Sequence, residues 1–381
     1  MKQGKNMEQL GAELRRQRLA RKDILAGTEK LIFRTDENGT SRLYIKVGER
    51  WENYTVSALV HRQIASRLNI PFRYYERMLT EHRNLLDENV NGWFTKTPHK
   101  WLIRVLDNTA RAFLSDRYRR LDNLELCAAV LPVIRSMKGA EIKSCEITDT
   151  HLYIKVINRN MKAEIRKGDI VQAGFVVSNS EVGLGSLRVE PLVYRLVCEN
   201  GLIVKDFGKK KYHAGRQIGC TEESYELYSD ETLAQDDKAF FMKVRDIVRT
   251  AADEARFGLI VNRMRQAADT RIKEAPDEEV RILGDKFSLN TDEQNEIMRQ
   301  FFLQGEDTWY GLMNAVTAAS RNLEDYERAT DLERIGGDIL SMNFGGKQSS
   351  DVKSNRKRNY GREQTEESPI RYAPLEEVVA R

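Results

Sequence analysis

His151-Leu152-Tyr153-Ile154-Lys155-Val156-Ile157, Val171-Gln172-Ala173-Gly174-Phe175-Val176-Val177-Ser178 and Leu187-Arg188-Val189-Glu190-Pro191-Leu192-Val193-Tyr194-Arg195-Leu196-Val197 are three apolar runs rich in β-branched and aromatic residues. Such runs favour the pleated conformation. Gly183-Leu184-Gly185-Ser186 supplies a turn between the second and third. A connection that short joins antiparallel strands, because parallel neighbours need a long crossover. The stretch from Ile142 to Val204 is therefore expected to be an antiparallel meander. No regular alternation of strand and helix accompanies it, which argues against a Rossmann sheet.

Upstream, Leu31-Ile32-Phe33 and Leu43-Tyr44-Ile45-Lys46-Val47 flank the turn residues Asp36-Glu37-Asn38-Gly39 and predict a hairpin. Ser57 is placed to cap a helix carrying Val60, Ile64 and Leu68, which Pro71 ends. Short helices are expected between Phe72 and Asn89. A second hairpin follows, with Trp101 to Leu106 and Arg111 to Leu114 around Asp107-Asn108, and then a helix from about Asn123 to Met137. Beyond Ser229 the period becomes helical. Phe240, Val244, Ile247, Ala251, Ala255 and Leu259 mark one long helix running toward Pro276, and Thr291 with Gln294 and Thr330 with Glu333 read as capping boxes. The four tryptophans, Trp51, Trp93, Trp101 and Trp309, read as core.

The fold class is thus α+β: an N-terminal mixed helix and antiparallel-sheet part, a helical C-terminal part and a disordered tail. The expected divisions are a basic flexible segment at 1–27, a basic α+β domain at 28–216, an acidic helical region at 217–345 and a tail at 346–381. Charge supports them. Residues 1–216 hold 39 Lys and Arg against 25 Asp and Glu, whereas residues 217–345 hold 15 against 27. A basic part of this kind suits a polyanion.

Other classes are set aside. Within the 381 residues no apolar run reaches 18, so no membrane helix is expected, and the charged opening Met1-Lys2-Gln3-Gly4-Lys5 does not read as a secretory signal. Cys127, Cys145, Cys198 and Cys220 lack CxxC spacing and read as free thiols of a reducing compartment; the expected location is the cytoplasm of a bacterium or phage-infected host. The five scattered histidines form no zinc motif, and nucleotide-loop, metalloprotease and nucleophile-elbow signatures are missing; no metal and no cofactor are expected.

Two clusters fit nucleic acid. Arg111, Arg117, Tyr118, Arg119 and Arg120 combine guanidiniums that pair phosphates with a ring that stacks on a base. Lys205, Lys209, Lys210, Lys211 and Arg216, with Tyr212 among them, form a lysine loop suited to tracking a strand. Glu141 and Lys143, two apart on an expected strand, are the one approach to catalysis: a Glu-x-Lys with a nearby Asp can hold a metal and activate water. Arg195 lies in an apolar run and needs an acid partner, Glu190, Glu199 or one farther away.

Five stretches carry a family resemblance: Leu68-Asn69-Ile70-Pro71 with Tyr75; Leu85-Leu86 with Asn89-Val90-Asn91; Leu114-Ser115-Asp116-Arg117-Tyr118-Arg119 with Leu121-Asp122; Tyr194-Arg195-Leu196-Val197-Cys198-Glu199-Asn200-Gly201-Leu202; and Trp309-Tyr310-Gly311-Leu312-Met313-Asn314-Ala315-Val316-Thr317. In this order the chain resembles the phage/plasmid-like family known as domain of unknown function 932. The resemblance implies an origin in a phage, prophage or plasmid and assigns no catalytic residue.

The functional expectation is a non-enzymatic protein that binds or anneals DNA, single-stranded DNA first, in replication or recombination. The acidic helices would take a protein partner or a second copy of the chain. The alternatives are a metal-dependent nuclease using Glu141 and Lys143, and a structural or interaction component that does not bind DNA.

Overall fold

Alternating burial along three short strands, β2 (Leu31–Thr35), β3 (Ser41–Val47) and β4 (Arg50–Val56), turns Leu31, Phe33, Leu43, Ile45, Tyr54 and Val56 to one side. The computed structural model, which describes residues 1–118, 120–204 and 230–342, places a helical layer on that side. The layer comprises α2 (Ala58–Arg67), α3 (Phe72–Glu81) and α4 (Arg83–Lys96). Ser57 caps α2 by accepting the Val60 amide at 3.3 Å, as its spacing predicts. The sheet continues through β6 (Thr109–Ser115), β5 (Lys100–Leu106) and β1 (Arg21–Gly27) in the order β1-β5-β6-β4-β3-β2. Neighbours are antiparallel except β4 and β6, which meet in parallel at Thr55 with Thr109 and Val56 with Ala110.

The outer edge of β2 is closed by side chains rather than by another strand. Asn91 of α4 accepts the Phe33 amide and donates to the Phe33 carbonyl, both at 2.8 Å, and Asp87 accepts the Thr35 amide at 2.9 Å. A side-chain amide here completes the ladder that an exposed edge would offer to a foreign strand.

The meander expected between Ile142 and Val204 is present as a second sheet. It comprises β7 (Ala140–Ile147), β8 (Leu152–Glu164), β9 (Ile170–Asn179), β10 (Arg188–Arg195) and β11 (Asn200–Ile203), antiparallel in the order β11-β10-β9-β8-β7. Gly174 is required at the β8–β9 crossing, since a Cβ there would lie 2.2 Å from the Val156 carbonyl oxygen. Ile154, Val156, Phe175 and Val177 pack against α5 (Asn123–Ser136), α1 (Met7–Ala20) and α6 (Asp230–Thr250). Val171, Ala173, Val193 and Leu202 share a core with helices that follow: α7 (Glu254–Asp269), α8 (Pro276–Phe287), α9 (Thr291–Gln304), α10 (Trp309–Ala319) and α11 (Tyr326–Leu340).

Several expectations are corrected. Residues 1–27 are not a flexible leader: α1 opens with a capping box between Asn6 and Gln9 and buries Leu10 and Leu14, and β1 pairs with β5 along its length. Its apolar face is thin, but two leucines suffice because α5 and the second sheet enclose both. The single long helix after Ser229 is two, since the chain turns at Ala251–Ala252 and Asp253 restarts it by accepting the Arg256 amide at 2.8 Å. Leu259, placed on the buried stripe, is exposed. The cap of α9 is Asn290 with Glu293, one residue before the expected pair, and α11 starts at Asp325, leaving Thr330 buried in its second turn. Trp101 is core and Trp309 packs against core, but Trp51 is 47% and Trp93 44% exposed. The boundary expected at 216/217 and the tail at 346–381 lie outside the described residues.

Candidate nucleic-acid interface

Of the arginine cluster expected around residues 111–120, Arg111 and Tyr118 are engaged in internal ties, whereas Arg117 and Arg120 are exposed. Arg111 on β6 forms an ion pair with Glu181, whose second oxygen accepts the Asn123 amide at 2.5 Å. Tyr118 is not an open stacking ring: its hydroxyl donates to the Ser180 carbonyl at 3.1 Å, and burial raises the phenol above its ordinary value. Arg120 is exposed, 3.8 Å from Asp23. Arg117 is exposed, with its amide bonded to Ser115 Oγ at 3.1 Å. Arg119 and the whole lysine loop (Lys205, Lys209, Lys210, Lys211, Tyr212 and Arg216) lie outside the described residues.

Beneath this cluster is a charge network that no local signal announced. Arg104 has no exposed surface. Its Nε donates to Asp23 at 2.9 Å, its Nη2 to Asp122 at 2.7 Å and its Nη1 to the Glu181 carbonyl at 3.1 Å. Burial alone would raise the Asp122 carboxyl, but the Arg104 charge beside it overrides this and holds it below the ordinary range. The network joins β1, β5, the start of α5 and the segment after β9.

Glu141 and Lys143 both lie on β7. Glu141 pairs with Arg159, and the Lys143 ammonium lies 5.3 Å from the Tyr194 ring centre. Among the described residues no group of three or more His, Cys, Asp or Glu side chains is placed to hold a metal ion. Arg195 has the more distant acid as its partner: Asp169 receives its Nε at 2.6 Å and its Nη2 at 2.8 Å, and also accepts the Tyr310 hydroxyl at 2.7 Å. Glu190 instead holds Arg334 at 2.9 Å. Cys127 and Cys145 are buried and Cys198 partly so, all three as free thiols.

A basic and aromatic surface appears where the sequence reading placed none. The residues between those buried on β2, β3 and β4 point away from the helical layer. In register, Ile32 lies opposite Tyr44, Arg34 opposite Arg42, Tyr44 opposite Asn53 and Lys46 opposite Trp51. This face carries three cations and two large rings and, among the described residues, no carboxylate from its strands; Glu52 of β4 is in register with buried Ile45, on the other side, where it pairs with Lys22. Glu49, in the β3–β4 turn, reaches Lys46 at 4.0 Å. The Arg34 guanidinium sits 5.9 Å from the Tyr44 ring centre, and Arg42 donates to Asn53 at 3.1 Å. Among the described residues neither arginine forms a salt bridge; the carboxylate that feels the Arg34 charge is Asp87. The alternation of Arg42, Tyr44 and Lys46 with buried neighbours was the available signal. What hid the face was strand pairing, which brings Arg34 and Trp51 alongside.

Comparison with known proteins identifies a family. A model of the family described as Domain of unknown function (DUF932) matches residues 112–337, from within β6 to within α11. No curated protein and no solved structure matches the chain.

Proposed function

We propose, from the premise that the chain belongs to the Domain of unknown function (DUF932) family, that it is a non-enzymatic DNA-binding protein of a phage, prophage or plasmid. It holds single-stranded DNA in replication or recombination, in the cytoplasm of a bacterium or infected host. The observation that carries this reading is the solvent-facing side of β2, β3 and β4, with Arg34, Arg42 and Lys46 beside Tyr44 and Trp51 and no acidic side chain between them. Cations neutralise phosphates and rings stack on bases without reading their edges. The excess of 39 basic over 25 acidic residues in 1–216 favours the same ligand.

The test is binding to labelled single- and double-stranded oligonucleotides across a salt series, with and without magnesium. Neutralising three phosphates on a single strand gives a logarithmic salt slope of about −2 from this face. Replacing Arg34, Arg42 and Lys46 together with alanine should remove that much of the slope. Loss of the oligonucleotide only with magnesium would replace this reading with a nuclease. No binding at low salt would overturn it in favour of an assembly role.

A further inference from the structure

We infer that the face formed by β2, β3 and β4 is a two-base stacking unit for an unstacked single strand, an inference that rests on the DNA-binding reading above. Arg34 and Arg42 stand directly opposite each other on paired strands. Like charges in that position repel and destabilise a sheet. The group each guanidinium contacts is neutral, the Tyr44 ring for Arg34 and the Asn53 carbonyl for Arg42, and Asp87 feels the Arg34 charge without forming a salt bridge. A phosphate between the two guanidiniums would remove the repulsion and accept from both.

The rings continue the pattern. Tyr44 faces Asn53 and Trp51 faces Lys46, so the two rings are diagonal neighbours across β3 and β4. Diagonal positions on one face are about 7–8 Å apart. Successive bases in a stacked duplex strand step by about 3.4 Å, so these platforms are roughly twice as far apart as stacked bases. One base on each ring requires a strand whose bases have separated, which a duplex cannot supply without melting. Lys46, opposite Trp51, then lies where the next phosphate would pass. Phosphate at the arginine pair, base on Tyr44, base on Trp51 and phosphate at Lys46 follow in order across the sheet.

The experiment compares a pyrimidine oligonucleotide with an abasic strand of equal length, which keeps the phosphates and removes the bases. Wild-type protein should bind the intact strand at least tenfold more tightly than the abasic one. Trp51→Ala and Tyr44→Ala should each weaken intact-strand binding about tenfold and leave abasic binding unchanged, and Trp51→Phe should retain most of the affinity. Both variants alter outward-facing rings, and an unchanged thermal midpoint verifies their folding. Equal affinity for intact and abasic strands, with both variants silent, would overturn the stacking unit and leave DNA binding by charge standing. No binding of either strand at low salt would overturn both, as would a change of oligomeric state in Trp51→Ala without any DNA affinity.

Discussion

Arg104, a guanidinium with no exposed surface, keeps three parts of the chain in register because two carboxylates and a carbonyl converge on it. Removing it takes the buried counter-charge from both acids, leaving Asp122 with Arg21 at 2.5 Å and Asp23 with the exposed Arg120 at 3.8 Å. Arg104→Ala should lower the unfolding free energy by about 3–5 kcal/mol, read by chemical denaturation at neutral pH. The Asp122 carboxyl is held below its unfolded value, so its contribution is present above about pH 4 and disappears as pH falls through the lower folded value. His61 works in another pH range. Burial keeps its imidazole neutral, with its pKa lowered to about 4 from the usual 6.5, and Nδ1 lies 2.9 Å from the Tyr75 hydroxyl. Between those values the unfolded chain takes up a proton that the folded chain refuses. Stability should therefore be full above pH 6.5 and fall as pH drops toward 4. The size is on the order of 3 kcal/mol. His61→Asn should flatten that part of a denaturation-against-pH curve; an unchanged slope would assign the loss to other groups.

At the scale of elements, strength of local signal decided what could be read in advance. Both hairpins and the Ser57-capped helix were legible because their signals lie within a few residues: a turn dipeptide, an alternation, a cap. The pairing of β1 with β5 joins residues about 80 apart, and nothing near Arg21–Gly27 announces its partner. Trp51 was misplaced for a related reason. Its position in an apolar neighbourhood suggested core, whereas the pleat turns it outward and Tyr54 inward. The candidate site was correspondingly less legible than the fold: its cations and rings come from three strands, and only their register makes them one surface. Two substitutions probe elements directly. Asn91→Ala should cost about 1–3 kcal/mol, because the Phe33 amide and carbonyl lose their partner at the sheet edge. It should also raise concentration-dependent aggregation, measured by light scattering. Asp253→Ala removes the cap of α7 and should cost about 1 kcal/mol in the same denaturation assay.

For the whole molecule, a charge count is silent about placement. The excess in residues 1–216 includes Arg104 and Arg111, which are committed to internal acids, so a count overstates the cations open to a partner. Among the described residues no helix is long and apolar enough to cross a membrane. The N-terminal segment offers the global test. Deleting residues 1–20 removes Leu10 and Leu14 from the core they share with α5 and the second sheet. The truncated protein should melt several degrees lower and bind a hydrophobic dye; an unchanged melting curve would restore the flexible reading of that segment.

The enclosure of α1 also fixes an order of events when the chain is made. Leu10 and Leu14 are synthesised early, yet the surfaces that cover them, on α5 and on β7 and β8, come more than 100 residues later. The strand that follows α1 likewise waits for β5. A segment near the front of the chain is therefore among the last to be secured, and its two leucines stay uncovered on the ribosome while the centre of the protein is still being added. Pausing during synthesis before about residue 155 should leave a nascent chain that holds chaperones, and release should follow once the second sheet has closed over the first helix.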